Sequence, residues 1–135
     1  GVQGICPYGW HVPSDDEWTE MTNYVSSQSQ YVCGGDEDNI AKALASEEGW
    51  NSSTNDCAVG NNPIANNATG FSARPAGSYN GGYNHFGNYA YFWSATQNSS
   101  NSAHAYFRYL FYSSANVTKH ANYKHLGDAV RCIRN

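Results

Sequence analysis

The four cysteines constrain the fold of this chain more than any other feature. They are Cys6, Cys33, Cys57 and Cys132, and none forms a CxxC pair or a zinc-finger spacing with histidine. An even count without metal spacing indicates two disulfides and an oxidising compartment. Of the three pairings that four cysteines allow, we favour Cys6–Cys132 with Cys33–Cys57, because the ends of a domain often lie close together. The alternative is four reduced, buried thiols in a cytosolic protein.

Length and charge narrow the class of protein. The 135 residues fit one domain, residues 1–135, and are too few for two hydrophobic cores. The net charge is −4, and the 7 Lys and Arg residues form no run, which argues against a nucleic-acid partner. No apolar stretch approaches the roughly 18 residues of a transmembrane helix, so we expect no membrane-spanning segment.

Helix signals lie early in the chain. Ser14 and Glu17 have the spacing of a capping box, and apolar residues follow at helical spacing, which predicts a helix over 14–28. Residues 39–46 predict a second, shorter helix. Its inward residues are expected to be Ile40, Ala43 and Leu44.

Loop and strand signals fill the rest of the chain. Residues 51–70 and 71–90 are rich in Asn, Ser and Gly and predict long irregular loops. A hairpin turn is expected at 113–116. The predicted strands are 91–96, 103–112, 117–123 and 127–133. Helices early and strands late indicate an α+β fold, with two helices in the N-terminal half and a small antiparallel sheet in the C-terminal half.

Six sequence blocks run in order along almost the whole chain. They are Cys-Pro-Tyr-Gly-Trp-His-Val-Pro-Ser-Asp-Asp-Glu-Trp at 6–18, Ala-Leu-Ala-Ser with Gly-Trp within 43–50, Gly-Phe-Ser-Ala-Arg-Pro-Ala-Gly at 70–77, Phe-Trp-Ser-Ala-Thr at 92–96, Tyr-Phe-Arg-Tyr-Leu at 106–110 and Val-Arg-Cys-Ile-Arg at 130–134. The chain resembles the Fibrobacter succinogenes major paralogous domain family in these blocks. The resemblance implies a C-type-lectin-like domain, secreted or attached to a lipoprotein at the outer surface of a bacterium, and related in fold to the formylglycine-generating enzymes.

No catalytic pattern is apparent in the sequence. The formylglycine-generating enzymes use two closely spaced late cysteines, whereas only Cys132 lies late here. Ten of the eleven Asp and Glu residues precede residue 57, so Asp128 is the one carboxylate of the strand-rich half, and glycosidases need a pair. There is no GxSxG, HExxH or phosphate-loop motif. We therefore expect no enzyme activity.

Metal and cofactor signals are also weak. The chain has no EPN-, QPD- or WND-like segment, so it lacks the calcium-dependent sugar site of lectins with this fold. A structural calcium at Asp36, Glu37 and Asp38 is the alternative to simple helix capping there. His85, His104, His120 and His125 do not have a known zinc-ligand spacing. We expect no metal site and no cofactor.

A Tyr- and Asn-rich region is the candidate binding surface. Tyrosine rings beside Asn amides and an Arg suit stacking on sugar rings and hydrogen bonding to hydroxyls. The residues proposed for this role are Tyr83, Asn84, His85, Tyr89, Tyr91, Tyr106, Arg108 and Tyr112. The four tryptophans, Trp10, Trp18, Trp50 and Trp93, are expected to pack in the core.

The sequence thus favours an extracellular binding module that recognises a glycan or a protein through these loops. An equally simple interpretation of the tyrosines is a polar surface without a ligand, which would suit a structural or assembly domain of a surface protein. A conspicuous cleft would favour binding, and a flat hydrated surface would favour assembly.

Overall fold

The computed structural model describes residues 4–135 and contains two α-helices and seven strands. The helices are α1 (Asp15–Ser26) and α2 (Ala41–Leu44), with single 3-10 turns at Ser29–Tyr31 and Pro63–Ala65. The strands are β1 (Trp10–His11), β2 (Ser78–Tyr79), β3 (Tyr83–Asn84), β4 (Tyr89–Gln97), β5 (His104–Phe111), β6 (Thr118–Tyr123) and β7 (Ile133–Arg134).

The strands form three antiparallel sheets. The largest has the order β4–β5–β6, in which the predicted hairpin joins β5 to β6. Two short sheets pair β1 with β7 and β2 with β3. The predicted α+β architecture with a small antiparallel sheet in the C-terminal half is confirmed.

The start of α1 follows from its capping box. The Ser14 hydroxyl accepts a hydrogen bond from the Glu17 backbone N–H at 3.2 Å, and the Ser14 N–H donates to the Glu17 carboxylate at 2.8 Å. Both bonds satisfy N–H groups that a helix start leaves free. The helix then buries Trp18 and Val25 and ends two residues before the predicted limit.

The second helix is shorter than predicted because its end changes to sheet-like pairing. Ala45 takes an extended conformation and forms a parallel bridge with Ala73. The Ser46 N–H donates to the Ala73 carbonyl, and the Ala73 N–H donates to the Leu44 carbonyl, each at 2.8 Å. The predicted inward residues are buried: Ile40, Ala43 and Leu44.

The predicted last strand over 127–133 is wrong in most of its length. Only Ile133–Arg134 pairs as a strand, with Trp10–His11. Upstream, Gly127 bridges to Tyr79 and Ala129 bridges to Phe92. The segment changes partner from one residue to the next, so no continuous ladder can form.

Both favoured disulfides are present. Cys6–Cys132 joins the two ends of the chain across 126 residues of sequence. Cys33–Cys57 closes a shorter loop of 24 residues and holds the long segment after α2. All four cysteines are therefore accounted for.

The core lies between α1 and the inner face of the β4–β5–β6 sheet. The Trp18 ring lies 6.0 Å from the Phe71 ring and 5.8 Å from the Phe92 ring. Trp50 is also buried, as expected, but Trp10 is 43% exposed because β1 lies at the surface. Within residues 4–135, no helix has the length and apolarity needed to cross a bilayer.

Candidate functional site

The outer face of the main sheet carries a row of aromatic side chains. Side chains alternate between the two faces of a strand, so residues with the same parity on β4 and β5 share a face. Three cross-strand pairs form this aromatic face: Tyr89 with Phe111, Tyr91 with Tyr109, and Trp93 with Phe107. The residues between them, including Phe92 and Leu110, point to the core.

The rings of the aromatic face contact one another. Tyr89 lies 4.4 Å from Phe111 and 5.0 Å from Tyr91, measured between ring centroids, and both pairs are stacked. Tyr91 meets the edge of Phe107 at 5.8 Å. Such contacts add to simple burial and hold each ring in place, so the face is a preformed platform.

A cleft of about 660 Å³ opens on this platform. Its floor is formed by Tyr89, Tyr91, Phe107 and Tyr109. One wall comes from the β2–β3 hairpin and the residue after it: Ser78, Asn80, Asn84 and His85. The other wall comes from β6 and the segment that follows it: His120, Asn122, Leu126 and Asp128. The volume and the mixture of aromatic floor and polar rim are typical of a small-ligand site.

Two glycines hold the hairpin wall in place, Gly77 against β4 and Gly127 in the segment after β6. The Gly77 N–H donates to the Tyr89 carbonyl at 2.9 Å, and a Cβ at residue 77 would lie 2.0 Å from the Asn84 carbonyl oxygen. Gly127 and Tyr79 exchange two backbone hydrogen bonds of 2.8 Å each. Because a side chain at either glycine would collide with the hairpin, the shape of this wall depends on both.

Backbone hydrogen bonds place Asp128 beside the floor. The Ala129 N–H donates to the Tyr91 carbonyl at 3.2 Å, and the Trp93 N–H donates to the Ala129 carbonyl at 3.0 Å. On the other side, the Trp93 Nε1–H donates to the Leu126 carbonyl at 3.3 Å. Asp128 lies between these anchors, so its carboxylate is held in the cleft.

The carboxylate of Asp128 is electrostatically unusual. Burial raises the pKa of Asp128 to about 6. Its Oδ1 atom is buried and has no hydrogen-bond partner among the described residues. Burial also raises the pKa of the Tyr91 phenol, with further contributions from Tyr89 and Asp128, so Tyr91 stays neutral. The floor of the cleft therefore offers neutral rings beside one unpaired carboxylate.

Four of the eight predicted site residues line the cleft: Asn84, His85, Tyr89 and Tyr91. Tyr83 is 87% exposed and packs its ring 5.2 Å from Tyr79, outside the cleft. Tyr112 packs 4.8 Å from Phe111 and lines a separate surface depression. The structure therefore divides the predicted group.

The remaining two predicted residues do not line the cleft. The Lys119 ammonium lies over the Tyr106 ring, 4.5 Å from the ring centroid. Arg108 is 4% exposed, and its guanidinium bonds to the Asp15 carboxylate at 2.6 Å and to the Thr19 hydroxyl at 2.9 Å. The prediction that Arg108 contacts a surface ligand is wrong, because its side chain points to α1.

Asp15 completes this buried cluster. The Lys119 ammonium also donates to the Asp15 carboxylate, at 2.6 Å. Burial alone would raise the pKa of Asp15, but the hydrogen bonds from Lys119 and Arg108 outweigh it and lower the pKa below its ordinary value. The cluster joins α1 to β5 and β6 and is structural.

Eight cleft residues escaped the sequence prediction, among them Tyr109 of the floor and the polar residues His120, Asn122 and Asp128. Two features of the sequence bear on His120 and Asp128. Asp128 is the one acidic residue of the strand-rich half. The hairpin turn at 113–116 sets a register that places His120 opposite Phe107, and the two rings lie 5.9 Å apart. The register would have located His120, but Asp128 depended on pairing that the sequence misassigned.

Metal ligands do not converge in the part of the chain that the structure describes, where no group of three or more His, Cys, Asp or Glu side chains could hold an ion. Within the acidic segment, the Asp36 side chain accepts a hydrogen bond from the Asp38 N–H at 3.1 Å. His104 lies 4.3 Å from the Tyr123 ring, and Tyr123 lies 5.3 Å from His125. These histidines therefore pack in an aromatic row.

Comparison with known proteins places the chain in a family. The sequence model of the Fibrobacter succinogenes major domain family matches residues 1–134 of this chain. The chain belongs to this family. Neither the comparison with curated proteins nor that with solved structures gave a significant match. Membership confirms the resemblance seen in the sequence blocks.

This Fibrobacter succinogenes major domain has a second cavity, of about 390 Å³, beside α1. Its lining is mainly apolar and includes Trp18, Met21 and Phe71. The Arg131 guanidinium lies 4.5 Å from the Phe71 ring and donates to the Phe71 carbonyl at 2.9 Å. Among the described residues, no buried polar atom without a hydrogen-bond partner belongs to this lining, whereas Asp128 Oδ1 is such an atom in the cleft on the aromatic face, so that cleft is the stronger candidate.

Proposed function

We propose that this domain is an extracellular binding module of a bacterium, with a C-type-lectin-like fold, that holds a glycan in the cleft on its aromatic face. The observation that carries the proposal is the meeting of an aromatic floor with amide and hydroxyl walls. Sugar rings present C–H faces that stack on aromatic rings and hydroxyls that bond to amides. Tyr91 and Tyr109 supply rings, and Asn84 and Asn122 supply amides.

The carboxyl count of the cleft favours binding over hydrolysis. Glycoside hydrolysis ordinarily needs two carboxyl groups on opposite sides of the scissile bond. Among the described residues that line the cleft, Asp128 is the one carboxyl group. The proposed module therefore recognises its ligand and leaves it unchanged.

The disulfides support an extracellular location. Disulfides form and persist in oxidising compartments, and two of them hold this small domain. The short β1–β7 sheet brings the two chain ends together, with helices preceding the main sheet. This arrangement is compatible with the C-type-lectin-like fold that the resemblance implies.

A structural or assembly role is the second candidate. It is favoured by two aromatic side chains outside the cleft, Tyr83 at 87% and Phe86 at 75% exposure. Exposed rings of this kind suit contact with another protein. A structural or assembly role would leave the cleft without a function, and the volume of the cleft favours the first proposal.

A glycan array tests the proposal with three proteins: the natural domain, Tyr91→Leu and Tyr83→Leu. Leucine keeps apolar packing but removes the ring. We expect the natural domain to bind a defined set of glycans equally with and without a chelator. Tyr91→Leu is expected to bind up to about tenfold more weakly, a loss that fits one stacking contact.

Tyr83→Leu is the matched control, because Tyr83 lies on the β2–β3 hairpin that forms one wall, but it does not line the cleft. It is expected to bind as the natural domain does. A complete absence of glycan binding, or a loss caused by Tyr83→Leu and not by Tyr91→Leu, would contradict the proposal and favour a protein partner at the hairpin.

A further inference from the structure

The described lining of the cleft carries an acidic side chain that no lysine or arginine of the lining balances. Asp128 is the one Asp or Glu residue of the described lining, which also contains the histidines His85 and His120. No lysine or arginine belongs to that lining. The Asp128 Oδ1 atom is buried without a hydrogen-bond partner among the described residues. A buried carboxylate oxygen without a donor is costly and calls for a partner from outside.

The cations on neighbouring segments are already engaged. The Lys119 ammonium donates to Asp15 at 2.6 Å, and the Lys124 ammonium donates to the Gln97 side chain at 2.6 Å. Arg131 lies over the Phe71 ring. Since each of these groups has another contact, a ligand is the natural source of positive charge for Asp128.

The rings beside Asp128 suit a cation as well as a sugar. An ammonium group is attracted to the face of a tyrosine ring within about 6 Å of its centroid. The Tyr91 and Tyr109 rings lie 5.9 Å apart and are tilted by 55° to each other, and Tyr89 stacks on Tyr91. Tyr91 and Tyr109 therefore line the same cleft as the carboxylate.

We infer that the cleft binds an amino sugar whose amine is free and protonated, with the ammonium donating to Asp128 and lying against the tyrosine rings. This inference rests on the proposed function and specifies its ligand. An ammonium offers three N–H donors and a charge, whereas N-acetylation removes the charge and leaves one donor. The polar walls, with Asn84 and Asn122, supply groups for the sugar hydroxyls, which a lysine side chain would leave unused.

Calorimetric titration at pH 7.0 tests the inference with three tetrasaccharides: glucosamine, N-acetylglucosamine and glucose oligomers of equal linkage. The natural domain is expected to bind the free-amine oligomer at least about tenfold more tightly than the other two. In Asp128→Asn this preference is expected to fall below about twofold. Asp56→Asn, at an exposed carboxylate outside the cleft, is expected to retain the full preference.

Other outcomes overturn the inference in distinguishable ways. Equal binding of all three oligomers, or a preference that survives Asp128→Asn, would overturn the amine and leave glycan binding intact. Tighter binding of trilysine than of the free-amine oligomer would assign the cleft to a protein partner. Binding of none of these probes, together with a blank glycan array, would overturn both this inference and the proposed function. A melting curve of Asp128→Asn checks that the variant is folded.

Discussion

Arg108 and Asp15 lie 93 residues apart in sequence and form an ion pair of 2.6 Å inside the domain. Both residues are buried, at 4% and 7% exposure. The pair fastens the start of α1 to the middle strand of the main sheet. Arg108 and Leu110 share the inward face of β5. The aromatic residues of the opposite parity are then left to form the floor of the cleft.

Loss of Arg108 should destabilise the fold. In Arg108→Met the Asp15 carboxylate keeps only Lys119 as a cationic partner, and removing one partner of a buried pair typically costs about 3–5 kcal/mol. Chemical denaturation measures the loss. The control is Arg74→Met, because Arg74 and Glu48 form an exposed pair at 3.4 Å, and its effect should stay within about 0.5 kcal/mol. If Arg108→Met keeps the stability of the natural domain but binds ligand more weakly, the prediction is wrong and Arg108 belongs to the binding surface.

The two disulfides should contribute unequally. In the chain-entropy model, a loop of 126 residues gives about 5 kcal/mol and a loop of 24 residues gives about 3.5 kcal/mol. The double variant Cys6→Ser with Cys132→Ser should therefore unfold at lower denaturant than Cys33→Ser with Cys57→Ser, measured without reductant. If the order is reversed, local packing around Cys33–Cys57 outweighs loop length.

The raised pKa of Asp128 makes stability depend on pH. Burial raises this pKa from 3.8 to about 6, so the folded domain holds the proton more tightly than the unfolded chain. The resulting stabilisation is fully present below about pH 4 and is lost as the pH rises through 6. Asp128→Asn is always neutral and should avoid this loss.

We therefore expect Asp128→Asn to be more stable than the natural domain at pH 7.5, by about 1–2 kcal/mol because solvent screens this partly exposed carboxyl group, and to lose this advantage at pH 4. Thermal unfolding at the two pH values measures the difference. Asp56→Asn, at an exposed carboxylate, is the control and should change stability by no more than about 0.5 kcal/mol. An advantage of equal size at both pH values would show that the effect is not due to ionisation.

Gly127 should be intolerant of a side chain. A Cβ at this position would lie 2.9 Å from the Tyr79 Cβ, so Gly127→Ala has to push the β2–β3 hairpin away from the segment that carries Asp128. Overpacking of this size typically costs about 1–3 kcal/mol. Hydrogen exchange should show faster exchange at the Tyr79 and Gly127 amides, which are bonded to each other's carbonyls.

Gly82→Ala, in the β2–β3 hairpin that Gly127 contacts, is the matched control, because no atom lies within 4 Å of a Cβ at Gly82. It should leave exchange at both amides unchanged. Equal exchange in Gly127→Ala and Gly82→Ala would mean that the hairpin does not depend on the close approach at Gly127.

Local patterns in the sequence predicted a large part of this fold. The capping box of Ser14 and Glu17 located α1, since both of its hydrogen bonds lie within one turn. The disulfide pairing followed from the closeness of chain ends, and the hairpin followed from a turn between two alternating segments. Half of the predicted binding residues lie together in the cleft because they are neighbours along β3, β4 and the short connection between them.

Tertiary structure alone decided the rest. Both faces of β5 carry aromatic residues, with Tyr106 on one face and Phe107 and Tyr109 on the other, so alternation could not tell which face was buried. The burial of Arg108 required Asp15, which is distant in sequence. Asp128 reached the cleft through bridges to two different strands. Hydrogen bonds within a turn leave a mark in the local sequence, whereas a contact between distant segments depends on how the packed elements meet.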